Sequence, residues 1–113
     1  MKKVEVITRP EVFKELRDNL FSIGVGGMTV TEAAGTGKQK GVEGMFRGTT
    51  FEIKVLPKLK IELVVEDGKV DQVIEVIQRT CKTGSVGDGK IFIIPVEEAI
   101  RIRTAEHGKE AII

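Results

Sequence analysis

Three stretches of this 113-residue chain set glycine beside cationic side chains. Gly35 to Phe51 reads GTGKQKGVEGMFRGTTF and carries five of the 13 glycines, together with Lys38, Lys40 and Arg47. Thr83 to Lys90 reads TGSVGDGK, with Gly84, Gly87 and Gly89 punctuating a turn. Arg101-Ile102-Arg103 alternates, so an extended backbone would carry both guanidinium groups on one side. Glycine lets backbone N–H groups come close to an anion, lysine adds a point charge, and arginine donates two parallel hydrogen bonds. The chemistry common to the three is anion capture. Each also has a plainer reading. The long loop can be a simple connection, GDG a turn whose Asp88 caps local N–H groups, and RIR a charged edge strand.

Catalytic constellations are missing. No Ser/His/Asp or Cys/His pairing stands in a plausible context, and there is no HExxH. Gly84 to Lys90 is the nearest approach to the phosphate loop GxxxxGK[ST], but it is expected to miss that loop's spacing, and Ile91 stands where the loop needs a hydroxyl. The single cysteine, Cys81, cannot form an internal disulfide, and one Cys with one His is a poor metal inventory. Cys81 reads as a small core residue and His107 as an exposed one. Lys+Arg 18 against Asp+Glu 17 leaves a formal charge of +1, against the basic excess of a dedicated nucleic-acid binder. With no signal pattern and no apolar run of membrane length, the expected location is the cytoplasm, without membrane insertion. The residues point to binding without turnover.

The elements that must position these stretches follow from periodicity. Lys2 to Thr8 alternates as a first strand, with Val4 and Val6 on one face and Ile7 on the other. Pro10 suits the first position of a helix in which Phe13, Leu16, Leu20 and Ile23 form one apolar stripe, ended by Gly24. Val25 to Ala34 returns as a strand, and the excursion from Gly35 to Phe51 follows it. Ile53 to Glu66 forms the third strand, and Asp67-Gly68 breaks it. Val70, Val73, Ile74, Ile77 and Cys81 mark a second helix, expected to end at Gly84 as its C-terminal glycine. Lys90 to Val96 is a fourth strand, with Pro95 at a strand end or sheet edge. The tail 97–113 is expected to hold a short helical turn, a short strand around Ile102 and a loose end.

Length fits one domain, 1–113. The order strand-helix-strand, strand-helix-strand closes as an α+β, ferredoxin-like βαββαβ unit: a four-stranded antiparallel sheet with both helices on one face. The other face then stays partly apolar, with Val64 and Val6 on it, which favours self-association.

The combined motifs resemble the PII nitrogen-regulatory signal proteins over nearly the whole chain. The matching segments are GMTVTE (Gly27 to Glu32), GTGKQKG (Gly35 to Gly41), FRG (Phe46 to Gly48), LPKLKIE (Leu56 to Glu62), TGSVGDGKIF (Thr83 to Phe92) and IRIRT (Ile100 to Thr104). The resemblance implies a homotrimer with ligand sites in the clefts between subunits. These sites would take ATP or ADP and, with ATP and Mg²⁺, 2-oxoglutarate. The excursion over 37–52 resembles the family's T-loop, which docks on ammonium transporters and on enzymes or regulators of nitrogen assimilation.

By the same resemblance, Gly87, Asp88, Gly89, Lys90, Arg101 and Arg103 are expected at the nucleotide phosphates. Thr29, Glu62 and Val64 are expected around adenine and ribose, with Gly37 and Lys38 covering the nucleotide. Gln39 would offer Mg²⁺ its amide oxygen and Lys58 would pair with a 2-oxoglutarate carboxylate, with Lys40, Gly41 and Arg9 close by. Lys38 replaces the arginine usual there, and Val42, Glu43 and Gly44 also depart from the common pattern. Phe51 falls where many relatives carry a nucleotidylylated tyrosine. It has no phenolic oxygen, and the chain contains no tyrosine, so no modification is expected there. Two alternatives remain at this level: a trimeric sensor of adenine nucleotides alone, and a weak nucleotide hydrolase.

Overall fold

Every second side chain of the first strand, β1 (Lys2–Thr8), is buried: Val4, Val6 and Thr8 lie inside and Lys3, Glu5 and Ile7 on the other face. A computed structural model describes the backbone of residues 1–39 and 52–113 and the side chains of 1–36 and 55–113. After β1 come α1 (Phe13–Ser22), β2 (Thr29–Gln39), β3 (Glu52–Val65), α2 (Val70–Cys81), β4 (Lys90–Pro95) and a terminal turn of helix, α3 (Lys109–Ile112). The strands form one antiparallel sheet in the order β2-β3-β1-β4. This is the expected ferredoxin-like arrangement.

The core lies between one sheet face and the two long helices. Val4, Val6, Ile61, Leu63 and Val65 come from the sheet, Leu16 and Leu20 from α1, and Val73, Val76, Ile77 and Cys81 from α2. Each fully buried Leu or Ile contributes roughly 1.5–3 kcal/mol of transfer free energy. Val6 therefore belongs to the helix-covered face, a correction to its expected place on the open one; β1 alternates strictly, so Val6 must follow Val4. On α2 the buried row takes Val76 and leaves Ile74 only partly covered. Asn19 also reaches across from α1 to the Thr80 hydroxyl, 2.9 Å away.

Helix ends explain two shifts of boundary. Gly24, at φ +90°, donates to the Phe21 carbonyl at 3.0 Å, while Val25 donates to that of Leu20 at 3.0 Å. Together these bonds make a Schellman cap, with Val25 buried as its apolar partner. Val25 thus closes the helix instead of opening a strand, and β2 starts at Thr29. The second helix stops at Cys81, because Lys82 is already extended at φ −74°, ψ 124°. Gly84 is not its cap.

The β2–β3 ribbon is longer than the glycine content implied. Pairing continues through Gly35↔Leu56 and Thr36↔Val55 to Gln39↔Glu52. Pro57 sits opposite Ala34, beyond Thr8↔Leu59 where β1 ends, so the proline interrupts no second ladder. The tail also departs from expectation. Ile100 bridges His107, and the intervening residues turn, with Ala105 at φ +59° and Ile102 fully exposed. No strand runs through Ile102 among the described residues. No described helix is long and apolar enough to cross a membrane.

Candidate functional site

The turn between α2 and β4 is the most heavily bonded loop among the described side chains. Asp88 stands at its centre. Its Oδ2 accepts the backbone N–H groups of Thr83 at 2.8 Å and Gly84 at 2.9 Å. Its Oδ1 accepts the Thr83 hydroxyl at 2.5 Å and an ion-paired N–H of Arg9. The carboxyl is held well below the usual carboxylate range, chiefly by the Thr83 hydroxyl and then by the Thr83 backbone N–H. The capping alternative for Asp88 is therefore the one observed.

Three side chains from the sheet end fasten the same turn by its carbonyls. Arg9 donates to Val86 at 2.8 Å, Lys58 to Gly87 at 3.0 Å, and the buried Thr8 hydroxyl to Asp88 at 2.9 Å. Gly87 and Gly89 have φ of +103° and +109° on either side of Asp88. A Cβ on Gly89 would stand 1.8 Å from the Ile7 carbonyl oxygen, so only glycine lets the turn lie against β1. A Cβ on Gly87 would meet Arg9 Nη2 at 3.1 Å and Lys58 Nζ at 3.6 Å. Two cations thus converge there. The backbone N–H groups of Val86, Gly87, Asp88 and Gly89 find no partner among the described residues. Successive free amides in a glycine turn, beside cations, form a nest suited to an anion.

The spacing Gly84-x4-Gly89-Lys90 does match that of a phosphate loop. The element order is reversed, however, since helix precedes turn and strand follows. The turn therefore opens no helix, and the groups it offers an anion are its own amides and the side chains beside it.

The other expected residues are placed as follows. Thr29 lies directly opposite Glu62, and Val64 stands two residues further along the same open face. Glu62 accepts from Lys3 Nζ at 2.9 Å, and that bond holds its carboxyl below the usual range. Lys3 was not anticipated; its signal was its place directly across from Val64 and diagonally across from Glu62 in the β1–β3 register. Lys90 pairs with Ile7 at the mouth of β4. Gly37, Lys38 and Gln39 pair with Lys54, Ile53 and Glu52 at the far end of the ribbon. Lys40, Gly41 and Phe51 lie outside the described residues.

Arg101 and Arg103 do not join the turn's hydrogen bonds. Arg101 donates to Glu106 Oε1 at 2.8 Å and to the Ile113 carbonyl at 2.7 Å, which folds the tail on itself. Two clefts divide the candidates. One of about 790 Å³, beside α2 and β4, is lined by Asp88, Gly89 and Lys90 over an apolar floor that includes Ile77 and Cys81. Burial pushes the Cys81 thiol up, which suits a packing residue. The other, about 550 Å³, lies between Gly24–Gly27, Val64 and Ile112–Ile113. A single chain does not gather the full set. No cluster of three or more His, Cys, Asp or Glu suited to a metal occurs among the described residues.

The family model for "Nitrogen regulatory protein P-II" matches residues 1–106. The nitrogen regulatory protein P-II of Rhodospirillum rubrum is 52% identical over 112 residues, covering 99% of this chain and 100% of that protein. The B. subtilis GlnK–ATP complex superposes with a TM-score of 0.81 at 44% identity, covering 97% of this chain and 95% of that one. Arabidopsis thaliana PII bound to citrate gives 0.79 at 37% identity, with 98% and 88% covered.

Proposed function

This chain belongs to the nitrogen regulatory protein P-II family, and we propose that it is a non-enzymatic cytoplasmic sensor of ATP, ADP and 2-oxoglutarate. The observation that carries this reading is the Val86–Gly89 turn, with its free amides and the convergence of Arg9 and Lys58 on Gly87. Polyphosphate is the ligand best matched to successive amides flanked by cations. The similar GlnK complex holds ATP and the similar Arabidopsis protein holds citrate, a polycarboxylate. Both fit an anion site of this composition.

In this reading Gly87, Gly89 and Lys90 take the phosphates, Arg101 and Arg103 reach them from a neighbouring copy, and Thr29, Glu62 and Val64 receive the nucleoside. Gly37 and Lys38 cover it. Gln39 supplies an oxygen to Mg²⁺, and Lys58, with Lys40 and Gly41, holds the 2-oxoglutarate carboxylates. The copies form a homotrimer through their open sheet faces. The 37–52 loop then docks on an ammonium transporter or on an enzyme or regulator of nitrogen assimilation, according to which ligand is bound.

Calorimetry tests this. ATP-Mg²⁺ and 2-oxoglutarate should each strengthen binding of the other by the same factor, as linkage requires, and ADP should not support the pair. ATP-Mg²⁺ binding with no 2-oxoglutarate binding beside it, at any concentration of the nucleotide, would replace this reading with a nucleotide-only sensor. Steady phosphate release abolished by Lys90→Ala would replace it with a hydrolase.

A further inference from the structure

We propose that Thr83, Asp88 and Arg9 are positioning residues, a clamp that turns the Val86–Gly89 amides outward for an anion without touching it. The inference rests on the nucleotide reading above and assigns these three side chains a different job from ligand contact. Asp88 already accepts four donors, about the full capacity of a carboxylate. It has nothing left for a ligand hydroxyl, and its charge would oppose a phosphate. Arg9 spends three of its five N–H donors on the turn: Nη1 serves Asp88 and Thr83, and one N–H of Nη2 serves the Val86 carbonyl. The Thr83 hydroxyl donates to Asp88 and accepts both Arg9 Nη1, at 3.3 Å, and the Ser85 N–H, at 3.2 Å.

The result is a division of the backbone. The N–H groups of Thr83, Gly84 and Ser85 are spent inside the turn. The carbonyls of Val86, Gly87 and Asp88 are all taken by side chains, those of Arg9, Lys58 and Thr8. With the carbonyls engaged by side chains from the sheet end, the N–H groups of 86–89 are left for a ligand. Without the clamp, peptide planes beside two glycines would be free to rotate and set a carbonyl against the phosphate. Pre-organisation of this kind raises affinity by removing an ordering cost at binding.

Thr83 gives the cleanest test. Thr83→Val keeps the shape and removes the hydroxyl; Thr83→Ser restores it. Calorimetry should find Thr83→Val weaker for ATP and for ADP by one common factor of about tenfold, the loss expected of a charge-assisted hydrogen bond. Thr83→Ser should recover to within about twofold. Unchanged binding by Thr83→Val, or a serine variant as weak as valine, overturns the clamp. Amide exchange in the ligand-free wild type supplies a measurement that needs no variant. Thr83 and Gly84 should be protected while Gly87 and Gly89 exchange freely, and the opposite order overturns the proposal. Wild-type protein that binds no nucleotide defeats the functional reading instead, and exchange still decides the clamp.

Discussion

Asp88 takes its hydrogen bonds from one hydroxyl, two backbone amides and one guanidinium. Because all of these favour the ionised form, its carboxyl is depressed in the folded chain, with the Thr83 hydroxyl the largest cause. A depressed acid stabilises the fold fully above its unfolded value, about 3.9, and loses that contribution as pH falls through the folded value. Asp88→Asn should therefore unfold at lower urea than wild type at pH 7 and pH 5, with the same gap at both. The gap should narrow only below about pH 4. A gap that is constant down to pH 2 would mean that the carboxylate's charge plays no part. Glu62 is also depressed, by Lys3. It lies on another part of the sheet, so the two effects should add.

At the scale of elements, periodicity recovered the two long helices, the four strands and their order, because each buries one face and the alternation or stripe is visible in the residues themselves. What it missed were ends. Glycines at Gly35 and Gly37 read as loop, yet both lie in the ribbon, where ladder bonds outweigh their modest strand penalty. Gly84 read as a cap by composition, although Lys82 had already left the helix. The glycine turn was legible as TGSVGDGK, but Thr8 and Lys58, which fasten its carbonyls, lie about 80 and 30 residues from the turn residues they bond and meet it only through the fold. Gly24 and Gly89 make the difference between local and tertiary demands measurable. A Cβ at Gly24 meets only Lys69 Nζ, at 3.6 Å, so Gly24→Ala should cost about 1 kcal/mol of backbone strain and lower Tm by roughly 4–8 °C. At Gly89 the same methyl strikes the Ile7 backbone, and the loss should be larger, on the order of 1–3 kcal/mol from overpacking on top of the backbone strain. Equal melting losses for the two variants would contradict this account.

The whole molecule leaves an open sheet face with a mixed character. Its centre holds Lys3–Glu62 at 2.9 Å and Lys60–Glu5 at 3.3 Å, and Phe92, Ile94 and Val64 flank these pairs. Charges already paired within one chain can be buried against another copy without leaving an uncompensated ion, whereas unpaired ones could not. Phe92 and Ile94 are 44% and 38% exposed, so a real apolar area remains to drive association. The candidate residues make the same demand from another side. Val64 lines one cleft and Asp88 to Lys90 another, while Arg101 is folded into the tail, so one chain offers only parts of a site. A closed ring brings the parts of neighbouring copies together, and a cyclic trimer is one of the symmetric closed assemblies. Sedimentation of the wild type at micromolar concentration should give about three chains per particle. Phe92→Asp, which buries an unpaired charge at the joint, should shift the particle to single chains that keep the circular dichroism of the fold. On the proposed reading ATP affinity should fall in the same variant, because Arg101 and Arg103 of a neighbouring copy would no longer reach the phosphates. A wild-type monomer, or a monomeric variant that binds ATP as tightly as the wild type, would show that one chain carries a complete site.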